Sequence, residues 1–328
     1  MKVTEKSYRF ESTNGMDEIS GRAYFPEGKP RGMIQILHDQ GEHMGRYRLL
    51  MKELASAGYL VFGNDHMGHG EAAREAERLG RFSGENNVLH MVDDVKKMFA
   101  QVLADCSVLT GETEKKSDSS KTPMLRCLVG VGIGAAMAKA YVLRNRDCNA
   151  LILCGDRGFV SGVNMEEREC ERLIRKQGGT QTAAPLWEKR QQKYNRYIEY
   201  PEANSWRTTS RQEVGRFQKD PLCGITYDLY SYRTLLQMER LLTLREWTGS
   251  YSEYLPLYVM AGVKDPVSNY TRELDRMLER LRYSDAKNVF YKYYKNSRHD
   301  LLFDVEAGQV LQDIRRFLDM IQKQWRQQ

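Results

Sequence analysis

Long hydrophobic runs are what this 328-residue sequence most clearly lacks. No stretch approaches the roughly 18 consecutive apolar residues that a membrane-spanning helix needs. The opening residues, MKVTEKSYRF, contain no apolar core of a signal peptide. The six cysteines form no C-x-x-C pair and show no spacing typical of metal ligands. These absences predict a cytoplasmic protein with free thiols and with neither a transmembrane segment nor a metal centre.

The sequence also lacks a large excess of charge of one sign. The 50 Lys and Arg residues exceed the 44 Asp and Glu residues by a net charge of +6, but the two signs are interspersed along the chain. Nucleic-acid-binding proteins usually concentrate their basic residues on one face or one helix. The glycine fingerprint G-x-G-x-x-G and the P-loop lysine are absent as well. We therefore expect no nucleic-acid partner and no cofactor.

Short apolar runs alternate with helical patterns through the first half of the sequence and again near its end. Apolar runs predict strands at 32–38, 59–63, 124–130, 150–155, 257–262 and 289–294. Apolar residues at helical spacing predict helices at 47–57, 88–103, 135–143, 270–281 and 306–324. This alternation predicts a mostly parallel central sheet flanked by helices, with ligands bound beyond the carboxyl ends of the strands.

Residues 159–254 interrupt this alternation with long helical patterns that are separated by prolines. We interpret them as a helical cap inserted between two strands. The predicted organisation is thus a core in two parts, 1–158 and 255–328, with the cap at 159–254. A polar, turn-rich segment at 109–122 predicts a mobile surface connector.

Polar residues follow three of the predicted strands. Gly132 lies in the run GVGIG after the strand at 124–130, Asp265 follows the strand at 257–262, and His299 follows the strand at 289–294. A nucleophile, an acid and a base occur in this order in α/β-hydrolases, whose nucleophile sits on a sharp G-x-S-x-G turn between a strand and a helix. The strand, the helix and the flanking glycines are present here, but glycine stands at the serine position.

Several further motifs support a family resemblance. The stretch HDQGEHMGRYRLLMKELASAGYLVFGNDHMGHG resembles the HGxGEHxGRY…LAxxGYxVxxxDxRGHG region of monoacylglycerol lipases, lysophospholipases and serine aminopeptidase-like hydrolases. GRF, VDDV, LILCG, DPLCG, AGVKDPVSN and SRHDLLFD follow in the order that this family has. The resemblance runs from about residue 7 to residue 322, and it implies an α/β-hydrolase fold and an ancestry in carboxylic-ester hydrolysis.

The resemblance also implies roles for individual residues. Asp265 corresponds to the acid of the catalytic triad and His299 to its base. The backbone N–H groups of Gln40 and Ile133 correspond to the oxyanion hole. The loops that support the site contribute His38, Gly41, Glu42, His43, His66 and His69.

The chain departs from the family pattern at the site itself. Gly132 replaces the nucleophilic serine, Asp39 replaces the glycine of the HG dipeptide, and Met67 replaces an arginine. Without Oγ the residue at position 132 offers no atom that can attack the ester carbonyl, and an ionised Asp39 would repel a developing oxyanion. The sequence therefore predicts a pseudohydrolase that binds a small apolar or acyl, lipid-like ligand.

Alternative hypotheses remain open at this point. In one alternative, His299 activates a water in the space of the missing Oγ, which would give a weak or altered hydrolase. A Cys154 thiol near the site, and a metal bound by the loop histidines, are less favoured than structural roles for these residues. The sequence also leaves open contact with a membrane surface, the oligomeric state, and an engineered origin of Gly132.

Overall fold

A computed structural model describes residues 2–84, 87–110, 124–159, 162–242, 245–252, 254–284 and 286–325. Its centre is an eight-stranded sheet with the strand order β1-β2-β4-β3-β5-β6-β7-β8. The pairs β1–β2 and β2–β4 are antiparallel, and every pair from β4 to β8 is parallel. The strands are β1 Val3–Glu11, β2 Glu18–Pro26, β3 Gly32–Leu37, β4 Leu60–Asn64, β5 Leu125–Val131, β6 Ala150–Cys154, β7 Leu257–Gly262 and β8 Val289–Tyr294.

Helices cover both faces of this sheet. The helices of the core are α1 Arg48–Ser56, α2 Gly70–Glu75, α3 Asn87–Thr110, α4 Ile133–Arg144, α10 Arg272–Tyr283 and α11 Ala307–Trp325. Between β6 and β7 the chain forms α5 Val163–Gln177, α6 Ala184–Asn195, α7 Arg211–Lys219, α8 Leu229–Leu242 and α9 Arg245–Ser250. We call the described part of 159–254, which holds these last five helices, the cap.

The inner strands are buried on both faces, which explains why they appear in the sequence as continuous apolar runs rather than as alternating patterns. One buried cluster includes Leu60, Leu128 and Leu151 and continues into α3, α4 and α8. The cluster on the opposite face includes Val61 and Ile152 and continues into α1 and α11. The sheet therefore separates two layers of core, and loops at the carboxyl ends of the parallel strands form the site.

The fold class predicted from the sequence is confirmed, because a mostly parallel eight-stranded sheet lies between helices. The antiparallel strands β1 and β2 were not predicted. The connector predicted at 109–122 is wrong at its first two residues, since α3 continues to Thr110, and 111–122 lies outside the described residues. The division at 158 and 254 stays a prediction. Within the described ranges, no helix has the length and apolar character needed to cross a bilayer.

Candidate active site

The turn after β5 has the sharp geometry that the sequence predicted. Gly132 connects β5 to the first residue of α4 with φ +54° and ψ −116°, a conformation that side chains with a Cβ rarely adopt. The glycines on either side let the helix approach the sheet closely. A Cβ on Gly130 would lie 2.5 Å from the Cα of Ala135, and one on Gly134 would overlap the carbonyl oxygen of Leu37.

The space above this turn is filled by a carboxylate. A Cβ built on Gly132 would overlap Cγ and Oδ1 of Asp39 and would lie 2.8 Å from its Oδ2. Asp39 follows β3, whose carboxyl end lies beside that of β5 in the parallel sheet. The carboxylate of Asp39 therefore occupies the place where a side chain at position 132 would begin.

Asp39 is held there by three partners. The backbone N–H of Ile133 donates to Oδ1 at 2.8 Å, and Nη2 of Arg207 donates to Oδ2 at 3.0 Å. Nε2 of His299 lies 3.4 Å from the same Oδ2. Burial by itself would raise the pKa of Asp39, but Arg207 and His299 outweigh it and lower the pKa. The start of α4 also favours an anion through the helix dipole, so this carboxylate is ionised.

His299 lies between two carboxylates. Its Nδ1 is 3.1 Å from Oδ2 of Asp265, and its Nε2 faces Asp39. Burial alone would lower the pKa of His299, but the two carboxylates raise it to about 10. Asp265 is fully buried, and its Oδ1 accepts the backbone N–H of Val267 at 2.8 Å. At neutral pH His299 is thus an imidazolium that donates from Nδ1 to Asp265 and forms an ion pair with Asp39 through Nε2.

Two neighbouring cap residues close the site from above. Arg207 donates from Nε to Asp300 at 2.9 Å and lies 3.4 Å from Glu42. The indole of Trp206 packs against the His299 ring with 5.4 Å between the centroids. Trp206, Arg207 and His299 are all buried. These contacts seal the imidazole between the sheet and the cap.

Similarity to known proteins identifies the family of this chain. Residues 28–306 match the family model described as Serine aminopeptidase, S33. This protein belongs to that family. Monoglyceride lipase of Mus musculus is 37% identical over 82 residues, which is 25% of this chain and 27% of the mouse protein. The human monoglyceride lipase is 38% identical over 77 residues, which is 23% of this chain and 25% of the relative. The matched stretch thus spans about a quarter of these curated relatives.

Solved structures support the fold over nearly the whole chain. A thermostable carboxyl esterase from Bacillus coagulans in complex with glycerol has a TM-score of 0.85 at 24% identity, covering 97% of this chain and 99% of the esterase. A lipase in its open form has a TM-score of 0.82 at 22% identity, with coverage of 97% and 99%. At this level of identity the likeness concerns the fold.

Relative to the family pattern, the two candidate oxyanion donors differ in their surroundings. The N–H of Ile133 already binds the Asp39 carboxylate. Gln40 is buried beside Asp39, and its Oε1 has no hydrogen-bond partner among the described residues. The role of these two residues as an oxyanion hole stays a prediction for this member of the family.

The predicted supporting loops of this family member do come together behind the site. The rings of His38 and His66 stack at 3.8 Å between centroids, and His69 lies edge-on to both. Nε2 of His38 accepts the backbone N–H of His66 at 3.0 Å. Burial lowers the pKa of His66 to about 4 and that of His69 to about 3. These neutral rings hold the loops after β3 and β4 against each other.

The remaining loop residues act through hydrogen bonds. The N–H of Gly41 donates to the Tyr227 hydroxyl at 2.7 Å, which ties this loop to the cap. Glu42 accepts the N–H of Asp39 at 2.9 Å and also contacts Arg46. Sequence reasoning named Gly41 and Glu42 but missed the cap partners Tyr227 and Arg207, because no motif marks either residue.

Met67 and Cys154, which entered the sequence argument, lie in apolar surroundings. Met67 is fully buried, and its sulfur accepts the side-chain amide of Asn14 at 3.1 Å. Cys154 belongs to the buried cluster on the α1–α11 face of the sheet. Burial raises the pKa of its thiol to about 12, so the thiol carries no nucleophilic charge at neutral pH. These surroundings favour the structural interpretation of Cys154.

Among the residues that the structure describes, two groups of side chains have atoms close enough to share a cation. In the group Asp39, His299 and Asp300, both carboxylates are already paired with the guanidinium of Arg207. In the group His43, Asp220 and Cys223, Nδ1 of His43 accepts the N–H of Gly45, so Nε2 carries the proton and donates to Asp220 at 2.9 Å. A metal would have to displace a bound proton or a guanidinium in either place. Neither group therefore offers a prepared set of ligand lone pairs.

Proposed function

We propose that this member of the family is a pseudohydrolase, which keeps the hydrolase fold and binds a small apolar or acyl ligand without turning it over. The observation that carries the proposal is the position of the Asp39 carboxylate, where the nucleophile would attach to residue 132. The absence of Oγ at Gly132 removes the attacking atom. The similarity to monoglyceride lipases supports a lipid-like class of ligand.

The stabilisation of an oxyanion is blocked as well. An oxyanion needs free N–H donors at the place where its negative charge develops. The N–H of Ile133 is bonded to Asp39, so a second anion there would meet a like charge within a few ångströms. The Asp39 carboxylate therefore already occupies the place where an oxyanion would bind.

A second candidate function is weak hydrolysis through a water activated by His299. A general base needs a free lone pair at the operating pH. The pKa of His299 is raised to about 10, chiefly by Asp265 and Asp39 acting against burial. Its Nε2 is directed at Asp39 rather than at open space. The imidazolium is thus unable to accept the proton of a water at neutral pH, and the pseudohydrolase is favoured.

Hydrolysis assays on short p-nitrophenyl esters and on a monoacylglycerol test the proposal. We expect no turnover from the natural sequence above the buffer rate. Turnover of about 1 s⁻¹ or more, abolished by His299→Ala, would refute the pseudohydrolase.

Restoring the family residues gives the matched comparison. Gly132→Ser alone is expected to stay inactive, because the new Cβ meets the Asp39 carboxylate. Asp39→Gly combined with Gly132→Ser removes this overlap, frees the N–H of Ile133 and lets the pKa of His299 fall. Only the double variant is therefore expected to hydrolyse esters. An active Gly132→Ser single variant would show that Asp39 does not block the site.

A further inference from the structure

The cap contains a cavity that is separate from the site described above. Its volume is about 350 Å³, and it lies between α5, α6 and the loop that follows β7. Asp39, Gly132 and His299 are not among its lining residues. The apolar part of its wall includes Val163, Met165, Leu186, Pro266 and Val267.

Trp206 separates this cavity from the triad. Its ring packs on Tyr194 with 5.1 Å between centroids and forms a buried cluster with Tyr194 and Val267, which both line the cavity. The same ring contacts His299 at 5.4 Å. A molecule in the cavity would therefore be kept from the imidazole by one fully buried indole.

The polar wall of the cavity is richer in cations than in anions. It carries Arg157, Lys189, Arg190 and Lys193, against Glu166, Glu169 and Glu273. Most of these charges are already paired. Arg190 binds Glu166 and Glu239, and Lys189 binds Glu169 at 2.9 Å.

Two cations retain binding capacity. Arg157 shares the single carboxylate of Glu239 with Arg190 and keeps 15% of its side chain exposed. Lys193 is exposed on the same face of α6 as Leu186 and Arg190. Charged groups beside an apolar wall match a ligand with one anionic end and one apolar end.

We propose that the cap cavity binds a small amphiphile with an anionic head group, placing the head group near Arg157 and Lys193 and the apolar part against Val163, Leu186 and Val267. This inference rests on the proposed function, since it names the ligand class and puts the ligand where the triad does not reach it. The volume of the cap cavity lies within the range of small-molecule sites.

Isothermal titration calorimetry with three probes tests the head group. Octanoate, octan-1-ol and octylammonium share one chain and differ in charge. We expect saturable binding of octanoate, at least tenfold tighter than that of octan-1-ol and octylammonium. Equal binding of the alcohol and the carboxylate would overturn the proposal, as would an absence of octanoate binding.

Variants locate the site. Lys193 is exposed, so Lys193→Gln leaves the core untouched, and we expect this variant to weaken octanoate binding severalfold. Arg157→Gln is expected to weaken octanoate binding about tenfold or more. Lys176→Gln, at the exposed end of α5 and away from the cavity, is the matched control and should bind like the natural sequence. Identical affinities for Lys193→Gln and Lys176→Gln would contradict the placement.

An NMR measurement distinguishes the cavity from the triad. The imidazole signal of His299, assigned with a His299→Gln variant, should not move on addition of octanoate, because Trp206 lies between them. A saturable shift of this signal would place the ligand in the ancestral site and overturn the inference. The outcome is independent of the pseudohydrolase proposal, which is decided by ester turnover alone.

Discussion

The contact between Asp39 and Gly132 predicts a strong energetic coupling between these two positions. Gly132→Ser forces a Cβ into the Asp39 carboxylate. Overpacking of a tightly filled site costs about 1 to 3 kcal/mol. Displacing the carboxylate also breaks its charge-assisted hydrogen bond with the N–H of Ile133, which contributes roughly 1.5 to 3 kcal/mol.

Asp39→Gly breaks the same hydrogen bond without any overlap. Adding the destabilisations of the two single variants therefore counts the loss of this hydrogen bond twice. The sum also includes a steric overlap that the double variant lacks. The strain of a serine at φ +54° occurs in both the single Gly132→Ser and the double variant, so it cancels. We expect the double variant to be about 4 kcal/mol more stable than the sum of the single variants.

Urea denaturation of the four proteins in this double-mutant cycle measures the coupling. Each unfolding free energy is extrapolated to water, and the slope with urea is compared to check that the unfolded states are alike. Changes that add within about 0.5 kcal/mol would refute the reasoning, because they would mean that Asp39 does not occupy the space above Gly132.

Three further predictions concern stability. Arg207→Met should lower the free energy of unfolding in urea by about 3 to 5 kcal/mol, since it leaves buried carboxylates without their cation. The control Arg211→Met, on the exposed face of α7, should change this free energy by less than about 0.5 kcal/mol. Burial lowers the pKa of His66 to about 4 and that of His69 to about 3. The stability that these neutral rings provide is therefore present above about pH 6.5 and is lost as the pH falls through 4. A thermal unfolding midpoint that stayed constant between pH 6.5 and 4 would contradict this. The pKa shift of His299 has the opposite sign, since its pKa is raised to about 10. Its contribution to stability is therefore complete below about pH 6.5 and is lost as the pH rises through 10. His299→Gln should flatten this alkaline decline in stability.

The sequence predicted the central architecture well, for identifiable reasons. Strands buried on both faces, such as β5 and β6, must be apolar throughout, so they stand out from the amphipathic helices around them. The edge strand β1 has mostly exposed side chains, and β2 pairs with it in an antiparallel hairpin-like arrangement. Neither strand contains a continuous apolar run, and both were missed.

The candidate site was predicted only in part. Gly132, Asp265 and His299 follow strands of one parallel sheet, so the topology alone predicts that they meet. The sequence also indicated that Asp39 lies near the oxyanion hole, where it would repel an anion. It did not reveal that the carboxylate occupies the space where a side chain at position 132 would begin, because that depends on the rotamer of Asp39. Nor did it reveal Arg207, whose cap loop has no recognisable pattern.

The two departures from the family pattern have different chemical consequences. With glycine at both positions 132 and 39, His299 would lose one of the two carboxylates that raise its pKa and would keep the other, Asp265. In the rotamer that the structure shows, the Asp39 carboxylate lies where a Cβ at position 132 would be. Once present, Asp39 binds the N–H of Ile133 and faces Nε2 of His299. In the pseudohydrolase that we propose, glycine at position 132 thus leaves the site without a nucleophile, whereas Asp39 removes the base and the oxyanion donor together.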